Sequence, residues 1–149
     1  MYAKAAPGYS TLKSKRIEIF IDGGARGNPG PAGVGVLILD AVGKKIKDVS
    51  KYIGEATNNI AEYNALLYGL EEALILRADE IKINMDSELV AKQLNGEYRV
   101  KDTNLKPLFE RAINMLKGFK SFEINHIDRE KNKEADKLVN KAINLAGLI

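Results

Sequence analysis

Four acidic residues of this chain stand where the surrounding pattern calls for apolar side chains: Asp22, Glu62, Asp86 and Asp136. Within IAEYNALLYGLEEAL, helical steps of three and four lead from Glu62 to Leu66, Leu70 and Ala73. Its side chain therefore follows the stripe that must be buried. Asp136 does the same in KNKEADKLVNKAINLA, where it shares a face with Val139, Ile143 and Ala146. Asp22 closes the apolar run RIEIFID and Asp86 closes IKINMD. A carboxylate held beside a core is strongly destabilising unless something positive offsets it. Four of them point to bound divalent cations. With no cysteine and one histidine, sites built from thiolates or from several imidazoles are excluded. The carboxylates themselves favour magnesium, manganese or calcium.

Each acid also has a plainer reading. An aspartate before glycines, as in DGGARGNPGPAG, serves as a turn residue, and Asp86 ahead of SELVAKQLN can cap a helix. The two aspartates become a pair if their strands are neighbours and parallel. Both carboxylates then leave the sheet at the edge where open α/β sheets place their ligands.

The elements that must position these acids follow from the apolar periodicity. RIEIFID reads as a strand over 16–22, GVGVLILD as a second and KKIKDVSKYI as a third. The turn DAVGKK joins the last two into a hairpin. Thr57, Asn58 and Asn59 supply capping side chains for a long helix reaching to about Arg77. IKINMD is a fourth strand and SELVAKQLN a short helix. NLKPLFERAINMLKGF is a further helix, SFEINHID a fifth strand and KNKEADKLVNKAINLA the last helix. The order βββαβααβα predicts an α/β fold, a mixed five-stranded sheet flanked by helices.

At 149 residues and 45% hydrophobic, the chain is long enough for one sizeable core. Residues 1–14 lack periodicity and read as a flexible arm, leaving 15–149 as a single domain. The apolar runs are too short to span a bilayer, which predicts no membrane association. The N-terminus has no signal-peptide core, so the cytoplasm is the expected location. A net charge of +3 and a pI near 9.0 permit a polyanionic partner without requiring one.

Taken together and in this order, DGGARGNPGPAG, TNNIAEYNALLYGL, MDSELV and NKEAD resemble the type 1 ribonuclease H family. The resemblance runs from about Arg16 to about Leu145, and its first two motifs carry its specificity. It implies a ribonuclease H-like fold with a βββαβ core, in agreement with the periodicity. It also implies that Asp22, Glu62, Asp86 and Asp136 are catalytic residues and metal ligands. They would hold two Mg2+ ions, with Mn2+ able to substitute and Asp22 as the bridging ligand. The implied reaction is endonucleolytic hydrolysis of the RNA strand of an RNA–DNA hybrid by a monomer, leaving 5′-phosphate and 3′-hydroxyl ends. Gly23, Asn28, Asn58 and Asn59 match positions lining the hybrid's minor groove, and Thr57 a contact to a DNA-strand phosphate. Amides and backbone groups suit a 2′-hydroxyl, which both donates and accepts. For Asn28 and Asn58, turn and cap roles remain open beside these.

The sequence also departs from the family pattern. Ile60 replaces an arginine of the phosphate pocket, Glu88 replaces a frequent glutamine, and the basic protrusion used by some relatives is reduced to GEYRVKDTN. His126 precedes Asp136 by the ten residues at which many relatives place a mobile histidine, yet it also alternates with Phe122 and Ile124 as a strand residue would. Aligning the strands instead brings Arg129 nearest that accessory role. Two rival functions remain: a DNA nuclease or recombinase of the same fold, disfavoured by the TNN and GNPG segments, and a catalytically silent hybrid-binding module, disfavoured by the four intact acids.

Overall fold

The computed structural model describes residues 14–148; apart from Ser14, the expected N-terminal arm lies outside the described residues. Five strands form one sheet: β1 (Arg16–Ala25), β2 (Gly30–Asp40), β3 (Lys45–Ala56), β4 (Glu80–Met85) and β5 (Ser121–His126), in spatial order β3-β2-β1-β4-β5. The first three are an antiparallel meander, whereas β4 runs parallel to β1 and β5 parallel to β4. The expected hairpin turn is built as its sequence predicts. Asp40 Oδ1 accepts from the N–H groups of Val42 and Lys44 at 3.0 and 2.8 Å, and Gly43 adopts a positive φ of 87°.

The helices are α1 (Asn58–Ile75), α2 (Glu88–Leu94), α3 (Lys106–Leu116) and α4 (Lys133–Ala146). Strand alternation sends Ile17, Ile19 and Ile21 of β1 to one face of the sheet. There they join Val34, Val36, Ile38, Ile81, Ile83 and Met85 in the core. Leu66 and Leu70 of α1, Val90 and Leu94 of α2 and Leu116 of α3 complete it. The opposite face is covered over β1–β3 by α4, which buries Ala135, Val139, Ala142 and Ile143. That spacing is one helical stripe. Gly35 of β2 lies directly under the Ala135 carbonyl, so any side chain there would push α4, and Asp136 with it, off the sheet. From β3, Ser50 Oγ donates to the Leu138 carbonyl at 2.6 Å and fixes the helix along its length.

Several expected boundaries move. β1 continues past Asp22 through Gly23, Gly24 and Ala25, because these residues stay paired with Val34, Gly33 and Ala32 of a β2 that begins at Gly30. The glycines read as a turn, but the antiparallel ladder carries them on as strand. The third helix spans Lys106–Leu116, shorter than the 104–119 segment that reads as helix. Asp102 forms a turn ahead of it, its Oδ1 accepting from Asn104 N at 2.7 Å.

Candidate active site

Ile21 of β1 pairs with Met85 of β4 in parallel register, so Asp22 and Asp86 each follow the last paired residue of adjacent parallel strands. The condition for a shared sheet edge is met. Gly23 admits the third acid: its Cα lies so close to the Ala61 carbonyl of α1 that a Cβ could not be accommodated. The contact sets the first turn of α1 against β1, and Gly23 N–H donates to Glu62 Oε1 at 2.9 Å. Carboxylate oxygens of Asp22, Glu62 and Asp86 all lie within 4.8 Å of one another, the sole such group of three or more among the described residues. Asp136, in the first turn of α4, lines the same cleft of about 320 Å³.

The plainer roles of the acids are taken by neighbours. Ser87, not Asp86, caps α2, accepting from Val90 N at 3.2 Å. Thr57 caps α1, accepting from Ile60 N at 3.2 Å. Asn58 is therefore not the cap; its Oδ1 accepts from Ala25 N at 2.9 Å, while Asn28 Oδ1 accepts from Asn58 N at 3.0 Å. These two bonds lash the β1–β2 loop to the start of α1. Asn28, Asn58 and Asn59 are all exposed.

Burial and mutual repulsion dominate the electrostatics of the cluster. Asp22 is only 7% exposed. Its carboxyl is pushed up to about 8, first by burial, then by the charges of Asp86 and Asp136 and by a carboxyl–carboxylate hydrogen bond with Asp136. Glu62 is raised well above the usual carboxylate range, again by burial first and then by Asp22 and Asp86. The Gly23 N–H and the charge of Arg129 oppose the shift. Hard oxygen donors that repel one another in a partly buried cleft suit divalent cations well.

Sequence reasoning missed three residues here. Asn132, 1% exposed, precedes α4 where a cap is expected, yet it makes no side-chain cap bond. Its Nδ2 turns inward and donates to the Ile21 carbonyl at 2.7 Å and to Asp86 Oδ2 at 3.2 Å, leaving Oδ1 buried without a partner among the described residues. Its only sequence signal, an asparagine four residues before Asp136, also fits a cap. Arg26 and Asn140 line the cleft beside the acids, and nothing in the sequence brings residues 114 apart together. Of the two accessory candidates, Arg129 lines the cleft and His126 does not; the histidine is exposed at the end of the edge strand β5. Glu88 is an exposed first-turn acid paired with Lys92 at 3.2 Å. Tyr98 rests against that lysine, whose ammonium lies 5.0 Å from the ring centroid.

Known proteins share this fold. Residues 20–142 match the family profile described as "Reverse transcriptase-like". Ribonuclease HI of Halobacterium salinarum is 41% identical over 86% of this chain and 64% of its own length. Ribonuclease H of Pseudomonas entomophila is 30% identical over 87% of this chain and 95% of its own length. LC11-RNase H1, isolated from compost by a metagenomic approach and solved in complex with RNA/DNA hybrid, superimposes with a TM-score of 0.83 at 46% identity, covering 87% of this chain and 98% of that one. The chain spans just under two thirds of the halobacterial protein's length and 36% of a mycobacterial relative's.

Proposed function

This chain belongs to the type 1 ribonuclease H family, and from that premise we propose that it is a monomeric endonuclease hydrolysing the RNA strand of RNA–DNA hybrids. The convergence of Asp22, Glu62 and Asp86 within 4.8 Å, with Asp136 beside them, carries the reading. These four acids would hold two divalent cations, Mg2+ or in its place Mn2+. When bound, the cations supply activation of a water and stabilisation of the leaving 3′ oxygen, which gives 5′-phosphate and 3′-hydroxyl products.

The chain's own work is positioning. Strand ends and helix starts fix the carboxylates before substrate arrives, so little reorganisation accompanies the reaction. No side chain is needed as nucleophile. Asn28 and Asn58 use their carbonyl oxygens to tether the loop, so their N–H2 groups are the parts presented to a 2′-hydroxyl. Asn59 offers both halves of its amide, and Gly23 keeps the groove floor free of side chain. Thr57, half-buried at the start of α1, would meet a phosphate of the DNA strand. Residues 15–149 would form the catalytic domain.

Labelled hybrid, DNA duplex and RNA duplex, each with magnesium and with chelator, test the proposal. Cleavage of the RNA strand of the hybrid in magnesium alone is expected. Cleavage of the DNA duplex, or hybrid binding without any cleavage, would overturn the reading in favour of a DNA nuclease or a silent binding module.

A further inference from the structure

Two arginines enter the acidic cleft, and they are fastened differently. Arg129 stands in the turn before α4, and Glu62 feels its charge. Arg26 comes from the exposed β1–β2 loop and donates from Nη2 to Asn140 Oδ1 at 3.3 Å. Asn140, one turn beyond Asp136, donates in its turn to the Asp136 carbonyl at 3.2 Å and to Asp136 Oδ2 at 3.4 Å. The amide thus holds a guanidinium next to a carboxylate without letting them pair. Among the described residues Arg26 makes no salt bridge to any carboxylate.

An unpaired arginine beside four acids has a specific use. A polyanion approaching those acids is repelled, and a fixed cation at the rim offsets the repulsion where the chain must enter. The Asn140 bond occupies only part of the planar donor fork, which leaves N–H groups matched to phosphate oxygens. We propose that Arg26, oriented by Asn140, grips a backbone phosphate of the substrate at the Asp136 edge of the cleft, beside the phosphate to be cut. Arg26 would be a binding residue and Asn140 a positioning residue. The inference rests on the proposed hybrid nuclease activity and deepens it.

Steady-state cleavage of the hybrid by the full chain, measured across salt concentrations, tests it. Arg26→Ala should raise KM about tenfold near 0.1 M salt, with a smaller change in kcat. It should also flatten the dependence of log KM on log salt by about 0.9 at most, the share of one phosphate contact. Arg26→Lys should restore the slope but not the full affinity, because an ammonium lacks the fork. Asn140→Ala should raise KM about threefold and leave the slope at the parental value, since no charge is lost. Parental KM and slope in Arg26→Ala, or a loss confined to kcat, would overturn the assignment while leaving the nuclease reading intact. A parent chain that does not cut the hybrid would overturn both.

Discussion

Helices α1 and α4 perform the same task, each delivering one carboxylate from its opening turns to the ends of β1 and β4, but they are secured in opposite ways. The start of α1 is tied from outside: Thr57 caps it, and the Asn28 and Asn58 amides bind it to the β1–β2 loop. Those ties sit on the exposed rim where a substrate would lie. The start of α4 has no side-chain cap and is held from inside by Asn132, which reaches Asp86 and the Ile21 carbonyl. Where a fastening residue also faces substrate, removing it should disturb recognition more than stability. Where it faces the acids, the reverse should hold.

The largest effect belongs to neither fastening but to the acids they hold. Asp86→Asn should lower hybrid cleavage by at least about a thousandfold, roughly 4 kcal/mol in the transition state, with the fold retained. Parental rates across a magnesium titration would remove Asp86 from the site. On the inner fastening, Asn132→Ala should cost about 2 kcal/mol in urea unfolding, since the Ile21 carbonyl loses a buried donor and Asp86 a hydrogen bond. Unchanged stability would mean that the inward amide, with its unpartnered Oδ1, contributes nothing net. On the outer rim, Asn28→Ala in the fastening and Asn59→Ala beside it should each weaken hybrid cleavage by about 1–3 kcal/mol. Asn28→Ala should cost some stability as well, and Asn59→Ala almost none. If both variants cut every substrate as the parent does, the rim amides are structural only. The smallest difference separates the accessory candidates: Arg129→Ala should reduce turnover several-fold and more than His126→Ala. The opposite ranking, with an altered pH profile in His126→Ala, would point to an imidazole relay.

The same contrast shows what was legible in the sequence. The floor of the site was visible because apolar periodicity is local: RIEIFID and IKINMD end in aspartate, and Glu62 and Asp136 interrupt helical stripes. The sequence left the pairing of Asp22 with Asp86 conditional on their strands being parallel neighbours, and the β1–β4 register meets that condition. The fastenings were not visible, because they depend on which of two adjacent polar residues the backbone selects. Ser87 rather than Asp86 caps α2, and Thr57 rather than Asn58 caps α1. Asn132 sits at a cap position but faces inward, and the Arg26–Asn140 contact joins residues 114 apart. Only tertiary packing decides such choices.

The central claim is that four acids are held together at a cost which bound cations offset, and unfolding free energy measured against pH tests it most directly. In the unfolded chain Asp22 and Glu62 ionise near pH 4. In the fold Asp22 is pushed up to about 8, and Glu62 is raised well above its usual range. Between these limits the native state binds more protons than the unfolded state. Stability in chelator is therefore fully present below about pH 4 and is lost as pH rises towards about 8. Asp22→Asn should remove much of that slope and stabilise the metal-free protein at pH 8 by about 2 kcal/mol. Millimolar magnesium should restore most of the lost stability in the parent and far less in the variant. A parental profile that stays flat from pH 4 to 8 in chelator, or falls equally with and without magnesium, would contradict the account.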